Sequence, residues 1–118
     1  MEYSIVVYET EAELAAREDP KRAQAYWAAY AAYGKALNEA GIARGGACLQ
    51  PPRSATTIRL REGKRQVQDG PFADTKERLG GLFIIDVPDL DKAIEWAARC
   101  PCAATGSVEV RANVKMMG

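Results

Sequence analysis

The sequence predicts a single α+β domain in which two helices cover one face of an antiparallel sheet. Three observations carry that prediction. Apolar residues recur at helical spacing in residues 20–40 and 90–100, short β-branched and aromatic runs precede, separate and follow them, and Glu62-Gly63 sits between two alternating runs as a hairpin turn. With 118 residues, 47% of them hydrophobic, the chain buries roughly two thirds of the surface it exposes when unfolded, enough for one core and too little for two domains.

Residues 3–8 are rich in β-branched and aromatic side chains and too short for a core helix, so they form the first strand. Ile5 and Val7 lie on one face of it, Val6 and Tyr8 on the other. Residues 9–18 read as its polar exit. Asp19-Pro20 starts the first helix, because the aspartate caps free backbone N–H groups and proline loses nothing at the first helical position. The helix runs to Ala40 and stops at Gly41. Ala23, Tyr26, Trp27, Tyr30, Tyr33, Leu37 and Ala40 form its apolar and aromatic stripe, which reads as core.

Residues 42–49 form a weak strand whose Gly45-Gly46 pair marks a bulge or a close backbone approach, and Pro51-Pro52 ends it. Residues 55–61 and 64–68 make the hairpin. Residues 69–81 are the one long loop, with turn chemistry at both ends and Phe72 as its anchor in the core. Residues 82–87 are nearly all apolar, the mark of a central strand covered on both faces. Asp89 caps a second helix with the stripe Leu90, Ala93, Ile94, Ala97 and Cys100, and Pro101 ends it. Residues 107–114 close the chain as a strand, with Val108 and Val110 on one face and Glu109 and Arg111 on the other. Setting the hairpin aside, the order β-α-β-β-α-β is the ferredoxin-like split βαβ arrangement, a two-layer sandwich. Because both faces of the first and central strands are apolar, a second copy is expected to cover the outer face as a sheet-to-sheet homodimer.

Sixteen basic and sixteen acidic side chains cancel, and histidine is absent. That removes the usual general base near neutral pH, the commonest metal ligand and every histidine-based triad. Cys48, Cys100 and Cys102 are odd in number and lack zinc spacing, so they read as packed thiols, and no metal or cofactor is expected. Arg53, Arg59, Arg61, Lys64 and Arg65 cluster, yet Arg59 and Arg61 alternate with Ile58 and Leu60 as on the solvated face of a hairpin. With zero net charge, no nucleic-acid partner is expected. No apolar run approaches the roughly 20 residues that cross a bilayer, and the first residues do not resemble a leader, so a cytoplasmic protein without a membrane partner is expected.

Acid–base chemistry without imidazole falls to Asp, Glu, Lys, Tyr or Cys. Asp69 is the first candidate, at a strand-to-loop junction with Lys76 or Arg78 placed to hold it ionised; the alternative is that it accepts N–H bonds from its own turn. Tyr8, Gln50, Asp69, Lys76, Glu109 and Arg111 are the candidate ligand-binding residues; Tyr8, Glu109 and Arg111 fit a small polar pocket between subunits, although Glu109 and Arg111 also fit an intersubunit salt bridge. Two functions are therefore open. One is a non-catalytic homodimeric module binding a small molecule or a partner. The other is a cofactor-independent enzyme acting on a small polar or aromatic substrate, with Asp69 as acid or base.

Asp69-Gly70-Pro71-Phe72 and the residues that follow to Gly81 resemble the hallmark of the DGPF group within the YCII-related family. Residues 89–101 look like its second helix and residues 106–111 like its last strand, while residues 1–3 and 49–51 resemble earlier landmarks. The resemblance implies a dimeric α+β barrel of ferredoxin-like subunits and, since many such members are encoded beside alternative sigma factors, a link to their regulation. Other branches carry a histidine on the first helix and an aspartate before a proline near the end of the second, proposed as a catalytic pair. Those positions fall near Tyr30 and at Cys100 here, so the dehydrochlorinase-like chemistry of one branch does not carry over to this chain.

Overall fold

A computed structural model describes residues 1–73 and 75–116; Asp74 of the expected long loop lies outside the described residues. Side-chain alternation sets the architecture. In β1 (Glu2–Glu9), Tyr3, Ile5, Val7 and Glu9 point inward and are buried, while the residues between them are half-buried. β1 pairs antiparallel with β5 (Arg78–Asp86) on one side and β6 (Ser107–Ala112) on the other, and β2 (Ala43–Cys48) extends the sheet beyond β5. The order β2-β5-β1-β6 is that of the ferredoxin-like fold, and the sheet stays open rather than closing into a barrel.

Two helices close the inner face. Tyr33 and Leu37 of α2 (Ala23–Glu39) and Ala93 and Ala97 of α3 (Leu90–Ala98) pack with Tyr3, Ile5, Val7, Ile85 and Cys100 into one core. The stripes are narrower than their sequence patterns. Leu90 and Ile94 are each 50% exposed, because α3 turns Ala93, Ala97 and part of Trp96 to the core instead. No helix among the described residues is long and apolar enough to cross a membrane.

Several boundaries differ from the expectations. The polar exit forms a short helix, α1 (Glu11–Ala16), started by a capping box in which the Glu13 backbone N–H donates to the Thr10 hydroxyl and the Glu13 carboxylate accepts from the Thr10 N–H. Asp19 does not start α2. It accepts from the Lys21 N–H at 2.8 Å and from the Arg22 guanidinium, holding a turn, and the helix begins at Ala23. β5 begins at Arg78, four residues earlier than the apolar run, so Gly80 and Gly81 lie in a strand rather than a loop. A Cβ on Gly81 would sit 2.6 Å from the Ala47 carbonyl oxygen, so glycine is what lets β2 and β5 meet there.

The hairpin stands apart as its own two-stranded sheet, β3 (Thr56–Arg61) and β4 (Lys64–Asp69), hereafter the arm. Its turn places both Glu62 (φ 53°) and Gly63 (φ 74°) in the left-handed region, the backbone a two-residue hairpin loop demands. Phe72 is not a core anchor: it is 76% exposed and lies under the Arg59 guanidinium at the base of the arm.

The start of α3 is the simplest test of these boundaries. Asp89 accepts the Lys92 N–H at 2.9 Å as the N-cap. Asp89→Ala is expected to cost about 1 kcal/mol in urea unfolding, and Asp89→Ser to restore most of it.

Candidate functional site

Glu9 ends β1 on its buried parity, so the strand delivers a carboxylate into the layer between sheet and helices. An isolated carboxylate cannot remain ionised there. Arg17, just past α1, answers it: Nη2 pairs with Glu9 Oε1, and the two side chains are 5% and 1% exposed. The remaining donors of the guanidinium are used as well. Nη2 also reaches the Gly80 carbonyl at 3.1 Å, Nη1 donates to the Leu49 carbonyl, and Nε donates to the Tyr26 hydroxyl at 3.1 Å. The Tyr26 hydroxyl in turn donates to Glu9 Oε2. Glu9, Arg17 and Tyr26 form a closed, charge-neutral network joining β1, β5, α2 and the end of β2.

This network forms the floor at one end of a cavity of about 420 Å³ between α2 and the β2–β5 edge. Aromatic rings line its helix side. Tyr26 and Trp27 meet edge-on at 4.9 Å, and the Arg17 guanidinium lies 5.6 and 5.4 Å from their ring centres. Tyr30 stacks parallel to Phe83 of β5 at 6.4 Å, and Tyr33 meets Phe83 edge-on at 5.1 Å. Gly46, Gly80 and Gly81 supply the sheet side. At Gly80 a Cβ would strike the Glu9 carboxylate and approach Arg17 Nη2 at 3.1 Å, so the network and the cavity both require glycine there. The aromatic stripe of α2 is thus core at Tyr33 and cavity wall at Tyr26, Trp27 and Tyr30.

The buried phenols of the cavity wall, and the phenol and thiols of the core behind it, are held neutral. Burial and the hydrogen bond to Glu9 push the Tyr26 phenol well above its ordinary value. Burial, with the Cys100 thiol beside it, does the same for Tyr30, and burial alone suffices at Tyr33. Burial raises the Cys100 thiol, and burial with the nearby Glu13 carboxylate pushes Cys102 up to about 12. For Arg17, burial alone would lower the pKa, but the hydrogen bond to Tyr26 and the Glu9 charge hold it above its ordinary value. Cys48 alone among the cysteines is exposed, at the cavity rim, in contrast to the packed thiol expected.

The residues singled out from sequence lie elsewhere, and only Tyr8 and Gln50 among them line one cavity. Tyr8 and Gln50 line a second cavity of about 740 Å³ between the outer face of the sheet and the base of the arm, together with Leu79, Thr57 and Phe72. Asp69 is exposed at the end of β4, opposite Thr56. Its turn is closed by the backbone, Gly70 N–H donating to the Ala55 carbonyl and the Thr57 hydroxyl to the Gly70 carbonyl. Lys76 is exposed beside Thr75 and Glu77. Glu109 and Arg111 bridge each other along β6 at 2.9 Å, an ion pair within the strand. Glu9, Arg17 and Tyr26 were missed. The signal for Glu9 was present, since it continues the alternation Tyr3, Ile5, Val7 one step beyond the apolar run; nothing local marks Arg17 as its partner.

The model of the YCII-related domain matches residues 1–117. The chain belongs to the YCII-related family. An uncharacterised protein of Rhizobium meliloti (strain 1021) is 45% identical over 75 residues, 62% of this chain and 60% of that protein, so the chain spans about three fifths of the length of this relative. Among solved structures, 5-chloro-2-hydroxyhydroquinone dehydrochlorinase (TftG) from Burkholderia phenoliruptrix AC1100, in complex with 2,5-dihydroxybenzoquinone, superposes with a TM-score of 0.55 at 17% identity, covering 97% of this chain and 94% of that one. That likeness shows the fold shared by the two.

Arg17→Met leaves the Glu9 carboxylate buried without its countercharge and is expected to cost about 3–5 kcal/mol in urea unfolding, while Glu9→Leu combined with Arg17→Met costs less than Arg17→Met alone. Alkali gives a second test. Unfolding frees thiols and phenols to ionise from their ordinary 9.0 and 10.0, whereas in the folded protein they stay protonated to higher pH. Their contribution is therefore complete below about pH 9 and is lost as pH rises toward the folded values. The melting temperature is expected to fall steadily from about pH 9 upward; a flat profile to pH 11 would refute it.

Proposed function

We infer that this protein is a homodimeric binding module for a small, uncharged ring compound, held in the cavity between α2 and the β2–β5 edge. The observation that carries this reading is the cavity itself: open, walled by Trp27, Tyr30 and Phe83, backed by glycines, and ended by an ion pair whose charges already cancel. A flat ring gains stacking and apolar burial there, and a charged ligand finds no unmatched countercharge. The neutrality of the Tyr26 and Tyr30 phenols, and the commitment of Glu9 to Arg17, support binding over proton transfer. Asp69, outside both cavities, lends the acid–base alternative no geometric support. A protein of the same fold holds 2,5-dihydroxybenzoquinone, a single six-membered ring, which supports a ring-shaped ligand and leaves its charge to be tested.

The dimer reading rests on the outer face of the sheet. Val6, Leu82 and Ile84 are half-buried and Leu79 is 44% exposed, side by side with Tyr8 on a face no helix covers. Two such faces brought together would remove a continuous apolar patch from water.

A thermal-shift and calorimetric screen of uncharged ring compounds, beginning with hydroquinone, tests the binding reading. A ligand at 100 times its Kd is expected to stabilise the fold by about 2.7 kcal/mol. Ala31→Trp, at an exposed helix position on the cavity wall, fills the mouth and is expected to abolish that gain while leaving the unliganded melting temperature near wild type. A ligand that binds both proteins equally lies elsewhere and removes this site.

A further inference from the structure

We propose that the β3–β4 arm docks on a second copy of this chain, so that each subunit of the dimer is held by the other's arm. The proposal rests on the homodimer reading above and adds a contact that the sheet faces do not supply.

The arm is built but half bare. Ile58 and Val67 face each other directly across its two strands, and Leu60 lies one step along the same side; they are 62, 59 and 68% exposed. A lone two-stranded hairpin is marginal in water unless something packs on its apolar face. The opposite side is already covered: the Arg59 guanidinium lies 5.1 Å from the centre of the Phe72 ring, and Gly70 ties the base through Ala55 and Thr57. The anchored side therefore leaves the apolar side turned outward.

The occupant follows from the chain's own shape and charge. A compact 118-residue domain has a radius of gyration of about 13.5 Å, whereas this one measures 16.0 Å with extents of 46 × 46 × 19 Å, a plate rather than a ball. The arm carries Arg59, Arg61, Lys64 and Arg65 against Glu62 and Asp69 and is net basic, and since the whole chain is neutral the rest of it is net acidic. A second copy thus brings both a net acidic body for the basic arm and an uncovered apolar sheet face. Twofold symmetry satisfies each arm at once, because the surface that receives an arm on one subunit is present on the other.

Light scattering and sedimentation of the full chain over a range of concentrations, with wild type beside Ile58→Glu/Val67→Glu, give the test. A wild-type monomer at all concentrations removes the homodimer reading and the arm contact with it. A wild-type dimer whose Kd rises about tenfold or more in the variant supports the arm, in line with losing two buried apolar anchors. A dimer of unchanged Kd in the variant overturns the arm contact and leaves the sheet-to-sheet dimer standing. Hydrogen exchange of the wild type guards against a variant arm that merely unfolds: arm amides are expected to gain protection on passing from dilute monomer to dimer, and unchanged protection overturns the proposal.

Discussion

Glu9 and Arg17 set the terms for everything around them. A carboxylate at the end of a strand whose other inward residues are apolar is tolerable only if a cation reaches it and if the remaining polar atoms of both groups are satisfied. Arg17 meets that condition because its planar fork engages Glu9, the Tyr26 hydroxyl and the carbonyls of Leu49 and Gly80 together. No residue of α1 is buried, and the guanidinium that follows it, together with the Cys102 thiol reaching Glu13, ties that helix to the body. Lysine, with a single ammonium, cannot serve so many directions at once.

The cavity is a consequence of the same constraint. Gly80 must lack a side chain to leave room for the ion pair, and Gly46 and Gly81 must lack one for β2 to approach β5; a Cβ on Gly46 would lie 2.6 Å from the Leu82 carbonyl oxygen. Three positions without side chains on the sheet leave a hollow beneath α2, and the large rings of Tyr26, Trp27 and Tyr30 border it without filling it. Burial then keeps the phenols protonated, so the wall is polarisable, apolar and uncharged at neutral pH.

The outer half of the molecule follows a different logic. The sheet and the arm each present apolar side chains that the single chain leaves open, and the two surfaces differ in kind: a broad twisted face and a narrow ribbon with a basic edge. A cavity of about 740 Å³ lies where they meet, lined by Tyr8, Leu79 and Phe72. A fold that devotes its inner face to a core and a hollow has little apolar surface left to stabilise its outer one from within the same chain.

Local pattern was enough to read the elements. Alternation in residues 3–8 and 107–111, helical spacing from Tyr26 to Leu37, the Asp89 cap and the Glu62-Gly63 turn each depend on contacts a few residues apart, and strand order followed from them. The boundaries at Glu11, Ala23 and Arg78 were less legible, because a capping box, an aspartate turn and a glycine-bearing strand compete with the apolar pattern. The candidate site was illegible for a stronger reason. Glu9, Arg17, Tyr26, Gly46, Gly80 and Phe83 come from four separate parts of the chain, and nothing in the spacing of a polar segment says which arginine will turn back to a buried carboxylate. By itself the sequence determined the α+β class, the order of strands and helices and the family, since these rest on periodicity and short-range chemistry. Tertiary structure decided which charges are buried, which rings face a hollow and where Phe72 and Asp69 end up, because burial and ion pairing are properties of elements brought together across the fold.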